Sequence, residues 1–251
     1  MPSVLQTDLI AALDPVEFVR NVTGFDQVDP WQAEALRSDA DRLILNCARQ
    51  SGKSTISGLL ALHTAVYRPG ALVLLLSPSL RQSSELFKTV HRYYRTVAED
   101  VPARRESALQ LELRNGSRII SLPGKEATVR GYAGVSLLVV DEASRVPDDL
   151  FHAISPMLAV SNGRLVLLST PFGKRGFFYD CWESDDWHRI RITAEQCPRI
   201  SEEFLARERK AMPSWLSKQE YGCSFEESCA SVFDWEAIEE AAKGKVKQWR
   251  L

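Results

Sequence analysis

The segment CARQSGKST, residues 47–55, holds residue types that bind phosphate, directly after the apolar run RLILN (42–46). Gly52, Lys53 and Ser54 match the end of the nucleotide-binding pattern G-x-x-x-x-G-K-[ST]. A turn between a strand and a helix points several backbone N–H groups at one spot, and the helix N-terminus adds positive partial charge. The alternative is a chance Gly-Lys-Ser turn that follows a strand.

Each loop residue that matches the pattern has a chemical role, and one position departs from the strict pattern. Gly52 would let the backbone approach phosphates, Lys53 would bridge the β- and γ-phosphates, and the Ser54 hydroxyl would ligate Mg²⁺. Cys47 stands in place of the first glycine, and Arg49 lies inside the loop. The candidate nucleotide-contacting residues of the loop are Arg49, Gln50, Ser51, Gly52, Lys53, Ser54 and Thr55.

Two adjacent carboxylates, Asp141 and Glu142, end the apolar run SLLVVDE (136–142). The tip of a strand would place Asp141 beside the loop, where it can hold the Mg²⁺ shell. Glu142 can then orient and deprotonate an attacking water. The alternative is an acidic N-cap for a helix predicted over 147–159.

A polar pair, Ser169 and Thr170, ends the run RLVLLST (164–170). The pair falls at the carboxyl end of a predicted strand, which is where ligands bind in open α/β folds. Thr170 is therefore a candidate sensor of the γ-phosphate. A helix cap before Pro171 is the alternative.

The strands that would position these residues are near-continuous apolar runs, as expected for parallel strands that are buried on both faces. They are residues 42–46, 71–77, 136–142 and 164–170. Helices predicted after residues 53, 79 and 147 supply the crossovers, and the stretch 109–122 alternates around Asn115-Gly116 as a β-hairpin does.

The predicted fold is therefore α/β, with a mainly parallel central sheet flanked by helices. The run at 71–77 and the hairpin come between the loop and the acidic pair, so at least one sheet strand is expected to intervene. This arrangement predicts a RecA-like P-loop NTPase of the class that has an additional strand and a catalytic glutamate.

The pattern changes after about residue 172, where long apolar runs stop and charged helical stretches begin. We place a boundary near Lys174. Residues 1–173 are predicted to form the ATPase core with an N-terminal helical segment, and residues 174–251 a small, mostly helical lid or linker.

Composition places the chain among ordinary globular proteins, with 251 residues, 45% of them hydrophobic and 25% charged. The formal net charge of −2 gives no global signal for nucleic acid, although a local basic face remains open. The five cysteines include no C-x-x-C pair, which argues against a zinc site and favours a reducing cytoplasm. The longest uniformly apolar run, about six residues, is far short of the roughly 18 that a membrane span needs.

A basic stripe, Lys88, Arg92 and Arg95, recurs at i, i+4 and i+7 in the helix predicted after residue 79. Such a stripe lies on one helix face, opposite a largely apolar face. It could follow DNA phosphates without reading bases, or it could be a solvated surface. The sequence favours neither.

Four stretches, in this order and spacing, resemble the large terminase subunits of tailed phages and related viruses, which package DNA into capsids. They are DPWQ, CARQSGKST, LLVVDEAS and LLSTP. The resemblance covers nearly the whole chain and implies that ATP hydrolysis, with Mg²⁺, drives double-stranded DNA into a capsid. It also implies a small terminase subunit as partner, a homo-oligomeric ring on the capsid portal, and a location in the host cytoplasm with no membrane.

The resemblance also implies roles for three residues. The family's loop tolerates a first residue other than glycine and commonly contains an arginine, so Arg49 is expected to reach a phosphate in cis. Gln32 looks like the adenine-reading glutamine, although it could be an ordinary capping-box partner. The stretch TVRGYAG resembles the segment that carries the intersubunit arginine finger, which singles out Arg130 as a catalytic residue.

Members of the family carry a second domain, an RNase H-like nuclease that uses acidic residues and metal ions. This chain stops where that domain would start, and no such acidic cluster follows the ATPase motifs. We therefore expect an isolated ATPase segment without nuclease activity.

Two other functions fit parts of the pattern. A DExx-box helicase usually needs a second RecA-like core, and the roughly 80 residues after 172 are few for a domain. A nucleotide-gated assembly module would bind ATP with little turnover, but Glu142 beside Asp141 argues against it.

Overall fold

Eight strands form one mixed sheet in the part of the chain that the computed structural model describes, residues 4–124, 129 and 131–226. The strands are β1 (Arg42–Cys47), β2 (Leu72–Ser77), β3 (Ala103–Glu106), β4 (Gln110–Leu113), β5 (Arg118–Pro123), β6 (Val135–Asp141), β7 (Arg164–Ser169) and β8 (His188–Ile192). Their order across the sheet is β3-β4-β5-β2-β6-β7-β1-β8.

Helices cover the sheet and connect its strands. They are α1 (Val4–Leu13), α2 (Pro15–Glu17), α3 (Pro30–Arg37), α4 (Lys53–Tyr67), α5 (Leu80–Val97), α6 (Asp148–Ile154), α7 (Gly176–Glu183), α8 (Glu202–Ala211) and α9 (Ser214–Glu220). The helices predicted after residues 53, 79 and 147 are confirmed as α4, α5 and α6. The third is shorter than the predicted 147–159, since it ends at Ile154 and continues as a 3-10 turn over Ser155–Leu158. Pro156 lacks the N–H that would continue the helix.

The predicted parallel sheet and hairpin are confirmed. Strands β5, β2, β6, β7, β1 and β8 pair in parallel, whereas β4 pairs antiparallel with both β3 and β5. The turn at Asn115-Gly116 joins β4 to β5, and the Asn115 amide donates to the carbonyls of Ala65 and Val66 at the end of α4. These bonds fix the hairpin against the crossover helix.

The strand that separates the loop strand β1 from the acidic strand β6 is not the predicted one. It is β7, while β2 lies on the far side of β6. The order of strands along the chain correctly predicted that a strand intervenes, but it indicated the wrong strand. A crossover helix allows the next strand to pair at a distance from the strand that precedes it in sequence. The result is the strand arrangement of the RecA-like class with the three polar strand tips side by side.

Apolar residues fill both faces of the sheet, which is why the strands read as continuous runs. Alternate residues of β2, such as Val73 and Leu75, pack against α4 and α5, and the intervening Leu72 and Leu74 pack on the face covered by α6 and α7. All four side chains are buried. No helix of the described residues has the length and apolarity that crossing a membrane requires.

The sheet continues past the predicted boundary near Lys174. Strand β8 pairs in parallel with β1 from Leu43–His188 to Cys47–Ile192, so residues beyond 174 complete the edge of the core sheet. A division of the chain at this point would separate β1 from its neighbour. The helices α8 and α9 follow β8, and the predicted lid or linker over residues 174–251 stays a prediction.

Candidate nucleotide-binding site

The phosphate-binding loop adopts the turn that its sequence predicts. It leaves β1 at Cys47 and enters α4 at Lys53, and Gly52 has a left-handed φ of 100°. A Cβ atom at Gly52 would lie 2.9 Å from Gln32 Nε2. The backbone conformation therefore requires glycine there, and the Gln32 amide would have to move to admit a Cβ atom.

Cys47 takes the place of the pattern's first glycine because it is still part of the strand. It pairs with Ile192 of β8 and is fully buried, so its backbone needs no glycine. The positive φ of the loop falls instead at Gln50 and Gly52. Burial raises the pKa of the Cys47 thiol far above its ordinary value, so the side chain acts as a small apolar residue.

Lys53 brings the three predicted motifs together. Its Nζ donates to Thr170 Oγ1 at 2.9 Å and lies 3.4 Å from Glu142 Oε1, and its side chain is only 8% exposed. The loop, the acidic pair and the tip of β7 therefore converge on one cation. The neighbouring Ser169 hydroxyl faces Ser144 at 2.7 Å, which leaves Thr170 as the polar residue of this tip beside Lys53.

Asp141 and Ser54 fit a Mg²⁺ ion. The Ser54 hydroxyl lies close enough to the Asp141 carboxylate to lower its pKa, and Asp141 Oδ1 is buried without a hydrogen-bond partner. Burial, and then the adjacent Glu142 carboxylate, raise the pKa of Asp141 to about 6. A buried carboxylate oxygen without a partner is costly, and a hard cation that is also held by a hydroxyl would satisfy it.

Glu142 has a strained backbone at the position predicted for the catalytic base. Its φ of 52° and ψ of 42° are left-handed, which is uncommon for a residue with a Cβ. Such strain concentrates at functional sites, where the surrounding structure maintains it. The Glu142 side chain is 28% exposed, so its carboxylate can meet water.

A cleft of about 500 Å³ joins these groups. It is lined by Arg49, Gln50, Gly52, Lys53, Ser54, Thr55, Gln82, Glu142, Arg145, Thr170 and Glu220. Gln82, Arg145 and Glu220 were not predicted. Arg145 and Gln82 each follow the tip of a parallel strand, which is a signal that could have identified them; Glu220 reaches the cleft through tertiary contacts alone.

Arg49 is engaged by the segment that follows β8. Its Nε lies 2.5 Å from Glu220 Oε2, and its backbone N–H donates to the Glu220 carbonyl at 3.2 Å. The predicted contact of Arg49 with a phosphate stays a prediction. The guanidinium would exchange Glu220 for that phosphate.

Gln32 forms the capping box that was the alternative to adenine recognition. Its Oε1 accepts from the Asp29 backbone N–H at 3.0 Å, and its Nε2 is buried against Gly52 without a partner. This contact supports the backbone of the loop. Recognition of adenine by Gln32 stays a prediction.

Arg199 clamps the loop to the start of α3, a contact that no local sequence signal indicates. Its guanidinium donates to both Asp29 carboxylate oxygens, at 3.0 and 2.7 Å, and to the Ser51 carbonyl at 2.9 Å. Asp29 is 8% exposed. The fork geometry of arginine makes this three-way contact possible.

The remaining predicted residues lie outside the cleft or outside the described residues. Lys88, Arg92 and Arg95 are exposed on one face of α5 and line a separate recess of about 510 Å³ with His91. Arg130 lies outside the residues that the structure describes.

Replacing the buried carboxylate, Asp141→Asn, should stabilise the ligand-free protein at neutral pH by roughly 1–3 kcal/mol, because it removes a buried charge. It should also abolish the extra stabilisation that Mg²⁺ gives with ADP. Thermal unfolding with and without Mg²⁺–ADP measures both effects. Asp185→Asn, at a carboxylate that is 98% exposed, is the control. A destabilised variant with the normal Mg²⁺ effect would contradict the assignment.

Removing the clamp, Arg199→Ala, should lower the free energy of unfolding by about 1–3 kcal/mol, because Asp29 loses its cation and the Ser51 carbonyl its donor. Arg199→Lys should recover only part, since one ammonium group cannot reproduce the fork. Chemical denaturation of both variants, of Asp29→Asn and of the Asp29→Asn/Arg199→Ala double variant tests the coupling. Strictly additive effects of the two substitutions would show that the contact contributes nothing.

Comparison with known proteins agrees with the geometry. The sequence model for the terminase large subunit, T4likevirus-type, N-terminal, matches residues 44–240. A probable terminase large subunit of Enterobacteria phage P7 is 26% identical over 201 residues, which cover 74% of this chain and 38% of that protein. The chain spans less than half the length of the curated relatives it matches.

Solved structures share the fold. The large terminase ATPase domain of Thermus phage P74-26 superposes with a TM-score of 0.76 at 22% identity, over 85% of this chain and 99% of that one. A large terminase from a thermophilic bacteriophage, solved in complex with ADP, has a TM-score of 0.63 at 11% identity over 87% and 56% of the two chains. With most of its length matched by the family's sequence model, this chain belongs to the N-terminal domain family of T4likevirus-type terminase large subunits.

Proposed function

We propose that this chain is the ATP-hydrolysing motor domain of a terminase large subunit, and that it uses hydrolysis to move double-stranded DNA into a capsid. One observation carries the proposal: the contact of Lys53 with both Thr170 and Glu142. Transfer of a phosphoryl group to water needs a cation at the phosphates, a carboxylate that can activate the water, and a polar group near the γ-phosphate. These three groups meet at this contact. Family membership supplies the DNA-packaging context.

Lys53 binds the β- and γ-phosphates in this proposal. Glu142 is its anionic partner in the ligand-free site, and phosphate oxygens compete for the same ammonium group. Nucleotide binding therefore releases the Glu142 carboxylate to orient a water and accept its proton. Asp141 and Ser54 hold the Mg²⁺, which neutralises charge on the phosphates when it is bound.

Two arginines complete the site in the proposal. Arg49 reaches phosphate in cis after leaving Glu220, and Arg130 of a neighbouring copy acts in trans, as the family resemblance implies. An arginine that stabilises charge on the transferring group contributes about 10³- to 10⁵-fold in rate. The assembly this requires is a ring of copies on the capsid portal, served by the small terminase subunit.

The basic stripe on α5 is the proposed DNA contact. Arg92 and Arg95 have no carboxylate within ion-pair distance in the described residues, whereas Lys88 Nζ lies 2.7 Å from Glu85 Oε1. Unneutralised arginines on one exposed face suit the phosphate backbone, which is bound without base readout. Helix α5 also begins at the nucleotide cleft, where Gln82 lines the cavity, so the same helix reaches both ligands.

Lys53 and Glu142 should separate nucleotide binding from hydrolysis. Lys53→Ala is expected to weaken binding, because the phosphates lose their buried cation. Glu142→Gln is expected to bind at least as well as wild type, since a negative charge is gone, and to lose about 10²- to 10⁴-fold in turnover. Nucleotide affinity and steady-state phosphate release measure the two effects.

The matched control for Glu142→Gln is Glu34→Gln, an exposed carboxylate of α3. It should keep wild-type affinity and rate. Normal turnover in Glu142→Gln would remove Glu142 as the base. Absence of nucleotide binding by the wild-type chain would remove the proposed function.

The triple variant Lys88→Ala, Arg92→Ala and Arg95→Ala should weaken binding to any DNA sequence. Removing one phosphate-binding charge should flatten the slope of log affinity against log salt by roughly one unit, and Lys88 should contribute least because Glu85 already neutralises it. Fluorescence anisotropy with a DNA duplex over a salt series gives the slope. The control removes three charges from α8, at Arg207, Arg209 and Lys210. An unchanged slope in a folded α5 variant would make the stripe a solvated surface.

A further inference from the structure

Arg145 is a cation of the nucleotide cleft that lies on the same side as Glu142. It ends the 3-10 turn Ala143–Arg145, which begins directly after Glu142, and its backbone N–H donates to the Glu142 carbonyl at 2.9 Å. Its side chain lines the cleft together with Lys53 and Thr170. Its position is therefore fixed by the same turn that strains Glu142.

An aromatic ring holds the guanidinium of Arg145. Its Cζ lies 4.0 Å from the centroid of the Phe172 ring, and Arg175 Cζ lies 5.1 Å from the same centroid. Stacking on a ring orients the plane of a guanidinium and leaves its N–H edge available for an anion. Phe172 follows Thr170 by two residues, so the tip of β7 sets both the polar contact to Lys53 and the platform for Arg145.

Arg145 differs from the other cations of the cleft in having no ion-pair partner among the described residues. Arg49 pairs with Glu220 and Lys53 with Glu142, whereas Arg145 has no carboxylate partner among the described residues. An arginine that is ordered by an aromatic ring, lines the nucleotide cleft and lacks an acidic partner among the described residues is arranged to receive an anion.

We propose that Arg145 binds the terminal phosphate of the nucleotide in cis, with Phe172 as the platform that positions it. The inference rests on the proposed function only in that this cleft binds a nucleoside triphosphate. Because Arg145 lies beside Glu142 and Thr170, it contacts the γ-phosphate and distinguishes the triphosphate from the diphosphate. It is thus a cation of the chain's own site, separate from any arginine that a neighbour supplies.

The test compares affinities for Mg²⁺–AMP-PNP and Mg²⁺–ADP by calorimetry on dilute protein. Arg145→Ala should lose about 10- to 100-fold in affinity for AMP-PNP, the range for one hydrogen bond to a charged group, and less than about 3-fold for ADP. Arg145→Lys should recover part of the loss, since it keeps the charge but stacks poorly. Phe172→Leu should lose less affinity for AMP-PNP than Arg145→Ala does, and its affinity for ADP should again change less than its affinity for AMP-PNP.

Arg175→Ala is the matched control, because it removes an arginine from the same ring outside the cleft lining. It should leave both affinities unchanged, and thermal unfolding should show that all variants are folded. Equal losses for both nucleotides in Arg145→Ala, or no loss for either, would overturn the proposal. If wild type binds neither nucleotide, the proposed function fails as well; if wild type binds both, only the role of Arg145 is at stake.

Mixing of two variants, at an ATP concentration where each alone has little turnover, tests whether Arg145 acts in cis. Under conditions where wild type hydrolyses ATP, Arg145→Ala mixed with Lys53→Ala should restore no turnover, because each copy then lacks one group of its own site. Restored turnover would place Arg145 in the site of a neighbouring copy and overturn the cis assignment. Arg130→Ala mixed with Lys53→Ala serves as the comparison, since a trans arginine predicts partial recovery.

Discussion

The buried ammonium of Lys53 is the interaction on which the rest of the site depends. A cation that is 8% exposed is unfavourable unless partners replace its hydration. Its partners, Thr170 and Glu142, lie at the tips of β7 and β6. The strand order β6-β7-β1 therefore serves this charge as well as packing, because it brings both tips to the end of β1. In the proposed mechanism this contact is exchanged, since a phosphate replaces the carboxylate as the anionic partner of Lys53.

Three residues at the same edge of the sheet have a left-handed backbone. Gln50 and Gly52 in the loop and Glu142 after β6 all have positive φ, while the intervening strands are regular. A left-handed residue with a side chain costs of order 1–3 kcal/mol, and the apolar packing of both sheet faces offsets it. The sheet thus supports unfavourable turns at the edge where backbone N–H groups and carboxylates must face a ligand.

Local sequence patterns predicted the strands, the hairpin turn and the polar residues at the strand ends. The runs that became β1, β2, β6 and β7, the hairpin turn, and the residues Lys53, Asp141, Glu142 and Thr170 all followed from apolar continuity and polar strand tips. The identity of the intervening strand and the place of β8 in the sheet did not, since both depend on where a crossover inserts its strand. Arg199 and Glu220 were missed for a related reason: they are more than 140 residues from the loop in sequence, and only the tertiary fold brings them to Ser51 and Arg49.

Those distant contacts link the loop to the segment after β8. The backbone N–H of Ala48 donates to Ile192, that of Arg49 to Glu220, and Arg199 donates to the Ser51 carbonyl. Successive residues of the loop are thus held by β8, by the end of α9 and by the turn that precedes α8. A phosphate that attracts Arg49 competes with Glu220 for the same guanidinium, and linkage requires that the effect be mutual. In the proposed mechanism, whatever stabilises the ion pair of Arg49 with Glu220 therefore weakens the binding of Arg49 to nucleotide, and nucleotide weakens this ion pair to the same extent.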